Sequence, residues 1–344
     1  MKIGMTYNLK SDWQFADGDP VDSNAEFDRP ETIEDIKRIL ESFGHSVVKI
    51  GNVHKLLEQI DTLDVDIVFN IAEGIGDRNR ESQVPIVLDL YGIPYTGSDA
   101  LTLGITLDKM VAKKCFIADG VPTPGYFMAR DSKNIEKPAH VSFPLFVKTT
   151  WEGTSKGLSE NSRVTDIASL RRQAAVVIEQ YKQPALIEEF IKGTEYTVGV
   201  IGNDNPQASP VCQVTIGGQT QLGDQFYTFE LTQGNDVRYL CPAPISAELT
   251  KKMQDIAVAA YQSVGCRDYG RVDFRVDEKG NPFVLEINPL PSLDRKDVFN
   301  LFPKVIGKTF EETVHQIFNL ALKRYGLTDG DSRKPAAVSS QQGA

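Results

Sequence analysis

Two polar–apolar–polar triplets near the end of the chain carry the residue types of a metal site. They are Arg271-Val272-Asp273 and Glu286-Ile287-Asn288. Side chains alternate between the faces of a strand, so each triplet presents its two polar residues on one face. The turn sequence at 277–281 predicts a hairpin that brings the triplets together. Two carboxylates and an amide are hard ligands suited to Mg²⁺, which also binds substrate phosphates.

The same triplets also fit two amphipathic strands whose charges face solvent. Pro282–Ile287 is mostly apolar, however, and a solvated face rarely interrupts so apolar a run. The pattern therefore favours the metal site and leaves the solvated hairpin as its alternative.

A second constellation begins at the strand-like run Pro144–Lys148 and continues into the loop Thr149–Gly157, which is rich in Gly, Ser and Thr. Backbone N–H groups and hydroxyls in such a loop approach phosphate oxygens closely, and the lysine supplies a positive charge. Any strand can end in a lysine and a polar loop, so this signal is weaker than the hairpin.

Composition excludes several classes of function. The 344 residues are 41% hydrophobic and 24% charged, which is typical of a folded protein of two or three domains. The net charge of −10 argues against nucleic acid as a partner. We see no membrane span and no signal peptide, and we expect a cytoplasmic protein. The four cysteines form no CxxC pair, so we predict free thiols.

The order of elements predicts an α/β protein. Residues 1–105 alternate strands and helices, as in a doubly wound parallel sheet, with Val65–Ile71 as a buried strand. We expect Thr32 to cap the first helix and Gly44 to end it. The polar stretch Asp12–Arg29 follows the first strand, where ligands bind in such sheets. Residues 106–190 and the strand-rich 191–326 form two further segments, and 327–344 is expected to be disordered.

Seven motifs in this order resemble the D-alanine–D-alanine ligase family of the ATP-grasp superfamily. They span about residues 65–292 and are Gly92–Ser98 with Leu107–Lys109, Val147–Ser155, Ile187–Phe190, Gly193–Val198, Cys241–Ala243, Gly270–Asp273 and Glu286–Asn288. The resemblance implies an ATP-grasp fold with an N-terminal substrate domain, a central lid subdomain and a C-terminal α+β subdomain carrying the metal site.

The resemblance also implies roles for single residues. It implies contacts to ATP by Lys109, Lys148, Glu188, Glu189, Phe190 and Glu195. Asp273, Glu286 and Asn288 would bind two Mg²⁺ ions, with Mn²⁺ as an alternative. Arg271 would steady the transferring phosphoryl group and the oxyanion, and Thr154 and Ser155 would supply substrate-side hydroxyls. We expect Gly217–Asp236 to be the lid.

The departures from the family lie at the amino-acid subsites. The family's acidic residue after the first strand is not recognisable, and Glu26 is the candidate for it. Its His-Gly pair is Glu73-Gly74 here, and its lid Lys–Tyr pair is missing. Ser292 is the remaining candidate near the acceptor, but the stretch Pro291–Asp297 has acid and base where the family has a carboxylate-binding serine. We therefore expect an acceptor other than D-alanine. Glu73, Asp294 and Asp297 add negative charge near the expected acceptor site, which favours a cationic or amine-bearing acceptor, with solvated loop charges as the alternative.

The expected reaction joins an amino acid or small carboxylate to an amine through an acylphosphate. Positioning and charge neutralisation suffice for it, which agrees with the absence of a Ser–His or Cys–His pair in the sequence. Three alternatives stay open: an authentic D-alanine–D-alanine ligase, a non-ligating phosphotransferase or ATPase, and a silent nucleotide-binding module. A homodimer is compatible with all of them.

Overall fold

The computed structural model describes residues 1–76, 78–234 and 236–328. The strands in these ranges are β1 Lys2–Tyr7, β2 Ser46–Gly51, β3 Ile67–Ile71, β4 Tyr126–Ala129, β5 Leu145–Thr149, β6 Arg163–Val164, β7 Ala185–Glu189, β8 Gly193–Ile201, β9 Gln207–Ala208, β10 Cys212–Ile216, β11 Val237–Leu240, β12 Tyr269–Asp277 and β13 Pro282–Asn288. The α-helices are α1 Pro30–Ser42, α2 Val53–Gln59, α3 Gln83–Leu90, α4 Ala100–Leu107, α5 Lys109–Ala118, α6 Ile167–Gln180, α7 Phe229–Gln233, α8 Ala247–Ser263, α9 Val298–Val305 and α10 Phe310–Arg324.

The strands form three sheets, one within each of the three predicted segments. The first is parallel, in the order β2-β1-β3. The second is antiparallel, in the order β4-β7-β5-β6. The third follows β11-β10-β8-β12-β13, with β9 paired to β8. This confirms the predicted α/β fold class, and the boundaries at 105/106 and 190/191 stay predictions.

Helices from both ends of the chain pack against the parallel sheet. Ile3 and Met5 on β1 are fully buried, in one core with Ile36 of α1 and Phe318 of α10. The C-terminal helix therefore belongs to the core of the N-terminal sheet, and it ties the end of the chain to the predicted substrate domain.

The third sheet is apolar on one face and polar on the other. Val272 and Ile287 point into a core that includes Ala257 and Ala260 of α8. Their polar neighbours in the two triplets must therefore point to the opposite face, as the alternation of side chains requires.

The start of the first helix differs from the prediction. Arg29, not Thr32, is the N-cap, because Pro30 occupies the first helical position with its φ already fixed for a helix. Thr32 lies inside α1, and its hydroxyl donates to Asp294 Oδ2 at 3.0 Å. The end was predicted correctly: α1 stops at Ser42, and Gly44 has a left-handed φ of +89°.

All four cysteines are free thiols, as predicted. Two of them meet in space, because Cys212 at the start of β10 and Cys241 just after β11 bring their sulfur atoms to 2.7 Å. Sequence spacing did not indicate this contact, which follows from the antiparallel pairing of β10 with β11.

Three further predictions concern regions rather than sites. Among the described residues, no helix is both long enough and apolar enough to cross a membrane. The predicted lid Gly217–Asp236 joins β10 to β11 and contains the short helix α7, which sequence patterns missed. Most of the predicted tail, residues 329–344, lies outside the described residues.

Candidate active site

The hairpin of β12 and β13 gathers the four predicted polar residues. Arg271 pairs with Asn288 across the strands, and Asp273 pairs with Glu286. The turn that sets this register is closed by Asp277, whose carboxylate accepts from the backbone N–H groups of residues 279 and 281 at 2.9 and 2.8 Å. The predicted hairpin is confirmed, and its polar face is built by local sequence.

Charges on this face are already paired with one another. Arg271 donates to Asp273, with Nη2 3.0 Å from Oδ2, and Asn288 Nδ2 donates to the same oxygen at 3.1 Å. Lys109 Nζ, from α5, lies 3.6 Å from Glu286 Oε2. Burial alone would raise the pKa of Glu286, but Lys109, Lys148 and Arg271 lower it below its ordinary value. Glu286 is therefore an anion at neutral pH.

This face fits a magnesium ion that is shared with a polyphosphate. It offers two carboxylates and one amide, and the described residues contain no group of three His, Cys, Asp or Glu that would cage a metal by itself. Mg²⁺ is commonly held in this way, by one or two carboxylates with substrate phosphates and water completing its shell. The assignment of Asp273, Glu286 and Asn288 as ligands stays a prediction.

A second charged group faces the hairpin from the central subdomain. Glu188 on β7 lies between two lysines: Lys113 Nζ is 2.8 Å from Oε1, and Lys148 Nζ is 3.1 Å from Oε2. Burial would raise the pKa of Glu188, and the two lysines bring it below the ordinary value. Lys113 was not singled out from the sequence, because a lysine in the middle of a helix has no distinguishing pattern.

Phe190 and Glu195, which are also predicted to contact ATP, lie in and beside a cluster of aromatic rings. The Phe190 ring lies within 6.0 Å of Phe146 and Phe226, and the Arg275 guanidinium sits 4.5 Å from its centroid. Arg275 also pairs with Glu195 at 3.1 Å. Burial nevertheless raises the pKa of Glu195 to about 7, since Arg275 offsets only part of it.

Glu189 points away from this group. Its Oε1 accepts from the Ser142 N–H at 2.9 Å, and its backbone N–H donates to the Gly125 carbonyl at 2.8 Å. Its side chain is on the opposite face of β7 from that of Glu188, as the alternation along a strand requires.

The Gly/Ser/Thr-rich loop is held by the N-terminal domain. Thr154 and Ser155 adopt left-handed φ values of 48° and 58°. Just before them, the Gly153 N–H donates to Glu26 Oε1 at 2.6 Å. Two residues after them, the Gly157 N–H donates to Asp22 Oδ2 at 2.8 Å. The strained pair of hydroxyl residues is therefore fixed from both sides by carboxylates of the β1–α1 loop.

Glu26 has cationic partners of its own. Arg80 Nη2 lies 2.8 Å and Lys156 Nζ 3.1 Å from its carboxylate. Burial raises its pKa, but these two cations and the Gly153 N–H outweigh burial and lower the pKa to about 2. In this conformation Glu26 anchors the loop. Its predicted role of binding a substrate ammonium would require Arg80 or Lys156 to leave.

Comparison with known proteins identifies the family. The family model described as "D-ala D-ala ligase C-terminus" matches residues 116–319. The D-alanine–D-alanine ligase of Carboxydothermus hydrogenoformans is 31% identical over 84% of this chain and 91% of its own length. That of Janthinobacterium is 33% identical over 72% of this chain and 76% of its own. The chain belongs to the D-alanine–D-alanine ligase family.

Structural comparison agrees on the fold. A D-alanine–D-alanine ligase of Bacillus anthracis, solved in complex with ATP, superposes with a TM-score of 0.74 at 21% identity, covering 95% of this chain and 99% of that one. This confirms the ATP-grasp fold, and family membership makes the chain an ATP-dependent ligase. The uncharacterized protein y4sG of Sinorhizobium fredii is also similar, 35% identical over 75% of each chain.

At the subsites where this ligase departs from its family, the structure changes the predicted charge balance. Asp294 was expected to add free negative charge, but it is neutralised by Arg29 at 2.6 Å. Ser292 is exposed, and its hydroxyl accepts from the Asp294 N–H at 3.2 Å instead of facing the hairpin. Sequence reasoning missed the Arg29–Asp294 contact because it joins the 290–297 loop to the N-cap of α1 across 265 residues.

Asp297 lies beside the β12–β13 hairpin. Its Oδ2 is 3.6 Å from Arg271 Nη1, and its Oδ1 accepts from the Val298 N–H at 2.6 Å as the N-cap of α9. This carboxylate therefore covers the helix N-terminus, which would otherwise attract an anion, and it counters the charge of Arg271.

Two carboxylates at the carboxyl ends of the parallel strands have no compensating contact. Glu73 follows β3, and Asp28 precedes α1. Neither side chain makes an ion pair or hydrogen bond within the described residues. Burial is the main cause that raises the pKa of both, that of Asp28 to about 7, and neighbouring carboxylates add to it. Arg80 lowers the pKa of Glu73, and Lys10 and Arg29 lower that of Asp28, but these cations offset only part of the increase. Glu73 was predicted from the sequence, whereas Asp28 was not.

Proposed function

We propose that this ligase forms an amide bond between a carboxylate and an amine other than D-alanine, with ATP as the energy source. A carboxylate oxygen attacks the γ-phosphorus of ATP, which forms an acylphosphate and releases ADP. The amine nitrogen then attacks the acyl carbon, the C–O bond to phosphate breaks, and the ammonium proton is lost.

One observation carries the ATP half of the proposal. The hairpin face with Arg271, Asp273 and Glu286 lies against Lys109, which is 3.6 Å from Glu286. Convergent carboxylates and cations are what a bound metal–polyphosphate requires. Asp273, Glu286 and Asn288 would hold Mg²⁺, which would neutralise phosphate charge when bound. Lys109 and Lys148 would contact the phosphates, and Arg271 the developing oxyanion.

Nucleotide recognition is assigned to the adjoining face of β7 and β8. Glu188 and the backbone at Glu189 and Phe190 would meet the purine, and Glu195 the ribose hydroxyls. The buried Glu195 with its raised pKa has the spare hydrogen-bonding capacity that such a role needs. Thr154 and Ser155, fixed in one conformation, would offer hydroxyls to the carboxylate substrate.

The choice of acceptor rests on Asp297. An acceptor with a carboxylate beside its amine would bring a second anion to a place where Asp297 already pairs with Arg271 and caps α9. Repulsion and an unpaired buried carboxylate cost about 1–3 kcal/mol each, so kcat/KM for D-alanine as acceptor should be lower by roughly tenfold to a thousandfold. Glu73 and Asp28, whose side chains make no ion pair within the described residues, favour a cationic or amine-bearing substrate.

The second candidate is an authentic D-alanine–D-alanine ligase, which the names of the curated relatives favour. A screen of ADP release over pairs of D- and L-amino acids and diamines, with mass spectrometry of the products, separates the two. An amide product from a non-D-alanine amine supports the proposal. A D-alanyl-D-alanine product at kcat/KM of ~10⁴ M⁻¹s⁻¹ or above overturns it, and ADP release without any amide points to a non-ligating ATPase.

A further inference from the structure

Glu188 has more cationic partners than its charge requires. Its side chain is 3% exposed, and the ammonium groups of Lys113 and Lys148 lie 2.8 and 3.1 Å from its two oxygens. The group of three therefore carries one surplus positive charge in the interior. A buried carboxylate needs one well-placed partner, so the second lysine calls for a separate explanation.

Lys113 is fixed in place, whereas Lys148 is not. Lys113 is 0% exposed, and its Nζ also donates to Thr123 Oγ1 at 2.6 Å. That hydroxyl donates in turn to the Val284 carbonyl on β13 at 2.8 Å. The Tyr126 ring lies 5.8 Å from the same ammonium. Lys113 is thus anchored to the strand that carries Glu286.

Lys148 occupies a different setting. It is near the end of β5, where the chain enters the Gly/Ser/Thr-rich loop, and Glu188 is its only ionic partner among the described residues. A lysine held by a single contact can exchange that partner for another anion. In the proposed function this anion is a phosphate of ATP.

We propose that Lys113 is a positioning residue, which keeps Glu188 compensated so that Lys148 is free to leave it and bind the nucleotide phosphates. The inference rests on the proposed assignment of Lys148 to ATP. Without Lys113, the movement of Lys148 to the phosphates would leave the buried Glu188 carboxylate without a cation. The free-energy cost of that unpaired charge would weaken ATP binding.

Lys113→Met tests this role, with Lys114→Met as the matched control. The two lysines are neighbours in α5, but Lys114 is exposed and makes no ion pair. The measurement is the dissociation constant of the magnesium complex of adenylyl imidodiphosphate, by calorimetry, without any carboxylate or amine substrate. We expect about tenfold to hundredfold weaker binding for Lys113→Met and an unchanged constant for Lys114→Met.

The double variant Lys113→Met/Glu188→Gln separates positioning from a general structural effect. Glu188→Gln alone is the reference, because it carries any loss of the purine contact. If Lys113 acts by balancing Glu188, adding Lys113→Met to Glu188→Gln should weaken binding far less than Lys113→Met does in the wild type. If Lys113→Met costs as much affinity in Glu188→Gln as in the wild type, or if Lys113→Met binds like Lys114→Met, the inference is overturned. Failure of the wild-type protein to bind the nucleotide overturns the proposed function instead, so the two failures are distinguishable.

A third comparison covers the case in which Lys113→Met does not fold. Thr123→Val keeps every charge but removes the anchor of Lys113, whereas Thr123→Ser keeps the hydroxyl. We expect roughly threefold to tenfold weaker nucleotide binding for Thr123→Val, with thermal melting as the check on folding, and wild-type affinity for Thr123→Ser. Equal affinity in both variants contradicts the role of Lys113.

Discussion

Glu286→Gln is the perturbation that most directly tests the hairpin face. It keeps the shape of the side chain and removes one negative charge from a face where Lys109 lies 3.6 Å away and Arg271 sits on the paired strand. The pKa of Glu286 is already below its ordinary value, so the wild-type group is charged throughout the neutral range. A preorganised charge of this kind is worth ~3–4 kcal/mol in the transition state, which corresponds to a loss of about 10²–10³ in kcat.

The assay is ADP release at saturating ATP and Mg²⁺, beside thermal melting of the same preparation. Glu278→Gln is the matched control, because it makes the same chemical change in the turn of the same hairpin. Within the described part of the chain, Glu278 pairs only with Lys192, at 2.9 Å. Wild-type turnover is expected for this control. If Glu286→Gln keeps kcat within about threefold of wild type while folded, the metal assignment is refuted.

Three more outcomes are expected. Asp22→Asn weakens the hydrogen bonds that Asp22 accepts from the Gly157 N–H and the Tyr181 hydroxyl, so kcat should fall about tenfold while the affinity for ATP is unchanged. Equal losses in kcat and in ATP affinity would contradict a role of Asp22 in positioning the loop. Asp297→Ser keeps an N-cap but removes a charge, and should raise kcat/KM for D-alanine at least tenfold in a coupled assay. Asp28 has its pKa raised from 3.8 to about 7, so the folded state holds the extra proton and stability falls as pH rises through that window. The free energy of unfolding of Asp28→Asn, measured by urea unfolding, should therefore exceed that of wild type by on the order of 1–3 kcal/mol at pH 8, with little difference at pH 4.

The hairpin could be predicted because its information is local. The two triplets, their alternation and a turn with Gly280 at a φ of +81° lie within 18 residues, and each element of the pattern points to the same register. The parallel sheet was predictable for the same reason, since Val65–Ile71 and Lys2–Tyr7 are apolar runs of strand length.

Contacts between distant segments could not be predicted in this way. Glu26, Arg80 and Lys156 come from three regions of the chain and meet only after folding. Nothing in their local sequences marks them as partners. Asp294 was wrongly expected to be uncompensated, because its cation, Arg29, lies 265 residues earlier. Charge near a site can be counted from sequence, but whether it is already paired depends on the tertiary fold.

That distinction between paired and unpaired charge divides the site into two halves. On the proposed nucleotide side, cations are paired with carboxylates of the protein: Lys109 with Glu286, Lys148 with Glu188, and Arg271 with Asp273. A polyphosphate with its metal can exchange partners with these groups without leaving any of them unpaired, so binding costs little reorganisation. On the proposed substrate side, Glu73 and Asp28 make no ion pair within the described residues, and the nearby cations, Arg80 for Glu73 and Lys10 and Arg29 for Asp28, offset only part of the burial. Protonation relieves their burial penalty at low pH, and above that range a positively charged ligand would relieve it, so we propose that this half of the site favours a cationic substrate.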